Sequence, residues 1–110
     1  MAIDNSLHNS LEMTFFKIKD YLDNTQLGRE HSPMMIKNEE LAELLESFDI
    51  EALEEQTKNI QRLHDQLNEI KVVSTKIVED LGDVSDSVAT ANKVANGLDE
   101  VFLKINNIVL

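Results

Sequence analysis

The side chains able to do chemistry are few and dispersed. Three histidines, His8, His31 and His64, have no second His or Cys at metal-ligand spacing, and only Asp65 stands beside one of them. They read as solvated residues, with His64, next to Leu63, flanking an interface. The chain has no cysteine, so it offers no thiolate nucleophile, disulfide or Cys-based metal site. It also lacks a glycine-rich phosphate loop and a Gly-x-Ser-x-Gly nucleophile turn. The one pattern of catalytic type is made of carboxylates. Glu39, Glu40 and Glu43 form Glu-Glu-x-x-Glu, and Asp80, Leu81, Gly82, Asp83 come later in the chain. Carboxylates one helical turn apart converge on a hard cation, and that cation would activate water.

This arrangement resembles the all-α MazG-like nucleotide pyrophosphohydrolases, and the resemblance implies a magnesium-dependent cleavage of nucleoside triphosphates. The chain departs from that pattern in three ways. It has Asp80 where the family has Glu, it places 36 residues between Glu43 and Asp80, and it puts polar Ser85, Asp86 and Ser87 where the family buries a helix. The same glutamates also belong to a block from Glu39 to Glu55 with eight acids and no base, which reads as a solvated helix face suited to a basic partner. Acidity permits a nucleic-acid mimic without indicating one.

Across 110 residues there are 21 acidic and 10 basic side chains, a net charge of −11. Such a field opposes binding to nucleic acid or to an anionic membrane surface. No apolar run reaches the roughly 18 residues of a membrane span, and Met1 to Ser10 lacks a basic region followed by an apolar one, so a cytoplasmic protein without direct membrane insertion is expected. Hydrophobic residues make up 42% but aromatic ones only 5%, which leaves Leu, Ile, Val and Ala to form the core. Three glycines and one proline predict a few long elements in a single helical domain, residues 1–110.

Those elements can be read from periodicity. Leu7, Leu11, Phe15, Ile18 and Leu22 recur every three or four residues and predict a helix over 6–26. Gly28 to His31 interrupt the pattern. Ser32 as an N-cap with Pro33 at the first helical position predicts a second helix over 33–48, and Asp49 can cap the helix after it. Beyond it, Ile60, Leu63, Leu67, Ile70, Ser74, Ile77, Leu81, Val84, Val88, Ala91, Ala95, Leu98, Phe102, Ile105 and Val109 alternate steps of three and four without a miss. This is a heptad seam, and it predicts one long helix over 50–109. Gly82 and Gly97 fall outside the seam and read as weak points or shallow bends, with a turn near Asn96 and Gly97 as the alternative. Val73, Val94, Val101 and Ile108 widen the apolar face to suit three or four helices, supplied by the chain's own N-terminal helices or by other subunits. Ser74, the one polar seam residue, either bonds back to its own helix or fixes register.

The expected fold is therefore all-α: two shorter N-terminal helices and one long heptad-repeat helix, assembling into a multi-helix coiled-coil bundle. Phe15, Ile18 and Leu22 on the first helix and Leu67, Ile70, Ile77, Leu81, Val84 and Val88 on the seam are the expected partner contacts. No cofactor or metal is called for. The stretch Lys17 to Leu22 with Gln26 and Leu27, and the stretch Leu67 to Ser74, resemble the cappuccino-type (subunit four) small subunits of the biogenesis of lysosome-related organelles complex. That resemblance implies a non-enzymatic coiled-coil subunit that hetero-oligomerises with other small helical chains in a rod-like cytosolic complex acting in vesicle trafficking at endosomes.

Overall fold

Short polar residues decide where helix gives way to turn. In the computed structural model, which describes residues 6–83 and 85–110, helix α1 spans Ser6–Asp23, α2 Ser32–Ser47, α3 Ile50–Gln56, α4 Ile60–Leu81 and α5 Ser87–Asn106. A 3₁₀ turn, Arg29–His31, leads into α2. Asp49 caps α3 as expected, its carboxylate accepting from the Ala52 N–H at 3.1 Å. Ser32 does not cap α2. The 3₁₀ turn already sets helical dihedrals, so Ser32 is inside the helix and His31 stands at the cap without a side-chain bond.

The single helix expected over 50–109 is instead three helices, α3, α4 and α5, and with it the long coiled coil disappears. Two capping residues make the breaks. Asn59 accepts from the Arg62 N–H at 3.1 Å and starts α4, while Asp86 accepts from the Val88 and Ala89 N–H groups, each at 3.1 Å, and starts α5. Each cap satisfies N–H groups that a new helix start would otherwise leave orphaned. Before Asp86, Gly82 ends α4, Asp83 accepts from both the N–H and the hydroxyl of Ser85, and the Thr90 hydroxyl donates back to the Asp83 carbonyl at 2.9 Å. The seam keeps its three-four count through this turn because α4 and α5 fold back face to face, each covering the other's apolar stripe. An unbroken helix and a helical hairpin share that pattern.

The four long helices occupy the corners of a bundle measuring 46 × 22 × 21 Å. Helix α1 packs against α2 and α4, α5 packs against α2 and α4, and the pairs α1/α5 and α2/α4 lie across the core. His8 near Leu45 makes α1 and α2 antiparallel, and Glu69 near Lys104 does the same for α4 and α5. Ser6 near Lys71 and Ser10 near Ser74 set α1 parallel to α4, and Lys37 paired with Asp99 sets α2 parallel to α5. The short α3 carries the chain diagonally from α2 to α4. Leu7, Leu11 and Ile18 of α1, Met34 and Leu41 of α2, Leu63, Leu67, Ile70 and Ile77 of α4 and Val94, Leu98 and Val101 of α5 are fully buried. The widened apolar face is thus filled by the chain's own N-terminal helices.

Gly97 lies within α5, not at a turn. A Cβ there would stand 2.6 Å from Ile77 Cγ1, so its missing side chain is what lets α5 approach α4. No described glycine has a positive φ, which leaves space and not backbone freedom as the reason for Gly97. Gly97→Ala should therefore destabilise the bundle by about 1 kcal/mol, overpacking outweighing the helix propensity gained. Urea unfolding of Gly97→Ala alone and in an Ile77→Ala background checks this, the glycine substitution being expected to cost little once Ile77 Cγ1 is gone.

Candidate functional site

The bundle scatters the residues that could have formed a catalytic centre. Glu40 and Glu43 of α2 face a groove shared with Phe102, Ile105 and Asn106 of α5. Asp80 lines a different groove, of about 280 Å³, between α4 and α5 with Lys76, Lys93 and Glu100. Asp83 lies in the α4–α5 turn. Since α2 and α4 occupy opposite corners, the two carboxylate motifs that resemble a pyrophosphohydrolase do not come together. Among the described residues, no group of three His, Cys, Asp or Glu side chains is placed to hold a metal.

The histidines differ from their reading as solvated residues. His31 is buried, and its Nδ1 accepts from the Gly28 N–H at 3.0 Å. The proton of the neutral ring therefore sits on Nε2, which has no partner among the described residues. His64 stands 2.9 Å from Glu54 Oε2, and that glutamate side chain is only 3% exposed, with Oε1 unpartnered among the described residues. Nothing in the sequence signals this pair, because it exists only where the chain turns at 57–59 to set α3 against α4. Asp65, the sequence neighbour of His64, instead accepts from Gln61 at 2.9 Å.

Ser74 resolves in favour of register. Its hydroxyl meets the Thr14 hydroxyl at 2.6 Å and the Ser10 hydroxyl at 3.1 Å, both on α1, while Thr14 donates to its own helix at the Ser10 carbonyl at 2.9 Å. With Ser74 donating to Thr14 and Ser10 donating to Ser74, every hydroxyl proton has an acceptor. This closed network sits in the apolar interface of α1 and α4 and resists a slip along it, which would strand three hydroxyls.

Of the expected partner contacts, Ile18, Leu67, Ile70 and Ile77 are buried in the chain's own core. Phe15, Leu22 and Leu81 are partly buried against it, Val88 is 39% exposed, and Val84 lies outside the described residues. Other apolar side chains are left to water as well. Met13 and Phe16 on α1, Leu27 in the loop and Met35 and Ile36 on α2 all remain exposed on the first helical hairpin, Phe16 at 53% and Ile36 at 56%. Phe16 is held edge-on to Phe15, with ring centroids 5.2 Å apart. The periodic stripe supplied most of the intramolecular core, its residues Ile60, Val88 and Val109 being exposed, and off-stripe residues such as Phe16, Ile36, Val72 and Leu103 make up the rest of the exposed apolar surface. Scattered exposed apolar side chains are ordinary, but an aromatic ring braced by a half-buried neighbour is a preorganised contact.

Compared with known family models, curated proteins and solved structures, the chain matches none. No described helix is long and apolar enough to cross a membrane.

Both the hydroxyl network and the α4–α5 turn can be tested directly. Thr14→Val and Ser74→Ala should each cost about 1 to 3 kcal/mol, and the double variant less than their sum, because each single change strands a partner that the pair removes together. A double-mutant cycle by chemical unfolding measures the coupling. The Ser85 hydroxyl and N–H, donating to Asp83 at 2.6 and 3.1 Å, hold the Asp83 carboxyl below its ordinary range, with Lys93 adding to the effect. The folded pKa being depressed, the stabilisation of the turn is present above the unfolded value and is lost as pH falls through the folded one. Carboxyl NMR titration should find Asp83 ionising below an ordinary aspartate, and Ser85→Ala should move it back up.

Proposed function

We propose that the protein is a non-enzymatic helical subunit of a multi-protein complex, which binds a partner through the first hairpin and not through the heptad seam. The observation that carries this reading is the division of apolar residues. Most of the seam is buried in the core, whereas Phe16, Met13, Met35 and Ile36 stay in water on α1 and α2. Exposed aromatic and aliphatic side chains of this size are the usual anchors of a protein interface. The adjoining acidic stretch of α2, with Glu39, Glu40, Glu43 and Glu46 exposed, favours a partner whose apolar surface is bordered by Lys or Arg.

A place for that complex in endosomal or lysosome-related organelle trafficking, peripheral to the endosome, is supported by the resemblance of Lys17 to Leu22 and of Leu67 to Ser74. These two stretches lie on the neighbouring helices α1 and α4. The partners would be other small helical chains, docked on the finished bundle.

The test is affinity purification from the native cells with Phe16→Asp, Ile36→Asp and Leu67→Asp variants, combined with light scattering and mass spectrometry. Both surface variants should keep the helical signal and thermal midpoint of the unaltered chain and lose stoichiometric partners. Leu67→Asp should unfold the chain, since it buries a charge without a countercharge. Unchanged partner stoichiometry in both surface variants would exclude the first hairpin. Magnesium-dependent release of pyrophosphate that is lost in Glu43→Gln would replace the interaction reading with a hydrolase.

A further inference from the structure

Asn96 is the one asparagine of the sequence that is followed by glycine. Asn-Gly favours a turn, and both residues are poor helix formers, yet the pair lies in the middle of α5. Packing holds it there. Val94 and Leu98, just before and just after the pair, are fully buried, and Gly97 leaves the room that Ile77 occupies. The Asn96 side chain takes no part in this packing. It is exposed at the groove between α4 and α5 that Lys76 and Lys93 also line, and it makes no hydrogen bond among the described residues.

Such a dipeptide carries its own reaction. In a chain free to turn, the Gly97 nitrogen attacks the carboxamide carbon of Asn96 and closes a five-membered succinimide. Glycine permits this approach best, because it has no side chain to obstruct it. The new C–N bond forms as the carboxamide C–N bond breaks; the Gly97 nitrogen gives up its proton and the carboxamide nitrogen leaves as ammonia. Water then adds to either ring carbonyl and opens the ring, which leaves aspartate or β-linked isoaspartate at position 96. Nothing is oxidised or reduced, and water is the only other reactant.

The helix blocks the first step. Within α5 the Gly97 N–H is directed to the carbonyl four residues back, that of Lys93, so its proton is engaged. Ring closure also needs the Gly97 nitrogen eclipsed with the Asn96 Cβ, which a helical ψ does not allow. We propose that Asn96 is a self-modification site gated by the opening of α5, inert in the folded bundle and cyclising with the Gly97 nitrogen when that segment leaves the helix. The isoaspartate product carries an extra methylene in the main chain and no longer seats Gly97 against Ile77, so the opening is recorded covalently. The aspartate product keeps the main-chain length, places its carboxylate in the groove of Lys76 and Lys93, and refolds. The site stands whether or not the first hairpin binds a partner.

The attacking atom is also the one that exchanges its hydrogen, so a single opening controls both reactions, and this supplies the test. The full chain is incubated at neutral pH, folded and in guanidinium chloride, with Asn96 followed by peptide mass spectrometry and the Gly97 amide by hydrogen exchange. The denatured sample should accumulate acid at position 96, and the folded one should lag by a factor that matches the Gly97 exchange protection to within about tenfold. Equal rates in the two samples, or a lag outside that match, would overturn the gate. Once denaturant is removed, the aspartate form and the Asn96→Asp variant should regain the helical signal and thermal midpoint of the unaltered chain. The isoaspartate form, separated by chromatography, should not. An isoaspartate form with the unaltered midpoint, or an Asn96→Asp variant that fails to fold, would overturn the covalent record.

Discussion

Leu63, Leu67, Ile70 and Ile77 form an aliphatic stripe on α4 that must leave water, and α1 and α5 cover it from two sides. Each of these side chains contributes roughly 1.5 to 3 kcal/mol when fully buried, in gross terms and before conformational entropy is charged. Covering a stripe of that length requires helices of comparable length, and the chain has them only if it doubles back. The two turns at 57–59 and 82–86 exist for that reason, and their caps stabilise a path that burial demands. With the chain's own helices around the stripe, no other subunit is needed to hide it.

Close approach and register then depend on small and hydroxylated residues at set places. Gly97 lets α5 settle onto Ile77, and buried Ala91 and Ala95 keep the same helix slim. The Ser10, Thr14 and Ser74 hydroxyls do for α1 and α4 what shape alone does poorly. Aliphatic stripes can slide by a turn at little loss of buried area, whereas three hydroxyls satisfied by one another tolerate no such shift. The network is thus a specificity device more than a source of stability.

The same packing separates what the chain conceals from what it presents. Most residues on the three-four stripe became core, and residues off it, such as Phe16, Ile36 and Val72, were left outside. The acidic block on α2 and α3 was likewise split. Glu40 and Glu43 border a groove toward α5, while Glu54 turned inward to meet His64. A bundle that satisfies its own seam has only its off-stripe residues and its ends to offer to others. Accordingly, the exposed apolar residues, such as Phe16 and Ile36 of the first hairpin, Val72 of α4 and Leu103 of α5, are what the bundle presents.

The helical class, the first two helices to within three residues at each end, the cap at Asp49 and the stripe that became the core were all legible in the order of the residues. These are local or periodic properties, set by side chains within a turn or two of one another. Whether the stripe closes on another chain or on itself was not legible, because a heptad pattern is the same in a long coil and in a folded hairpin. The turn composition Gly-Asp-Val-Ser-Asp-Ser at 82–87 and the Thr-Lys-Asn at 57–59 were the available hints, outweighed by an unbroken three-four count. The pairing of Glu54 with His64, the burial of His31 and the separation of the two carboxylate motifs arise only in the folded chain. Each joins or parts residues 10 or more positions distant, or depends on how a helix end meets its neighbour, and such distances are set by the path of the folded chain and not by any spacing along it.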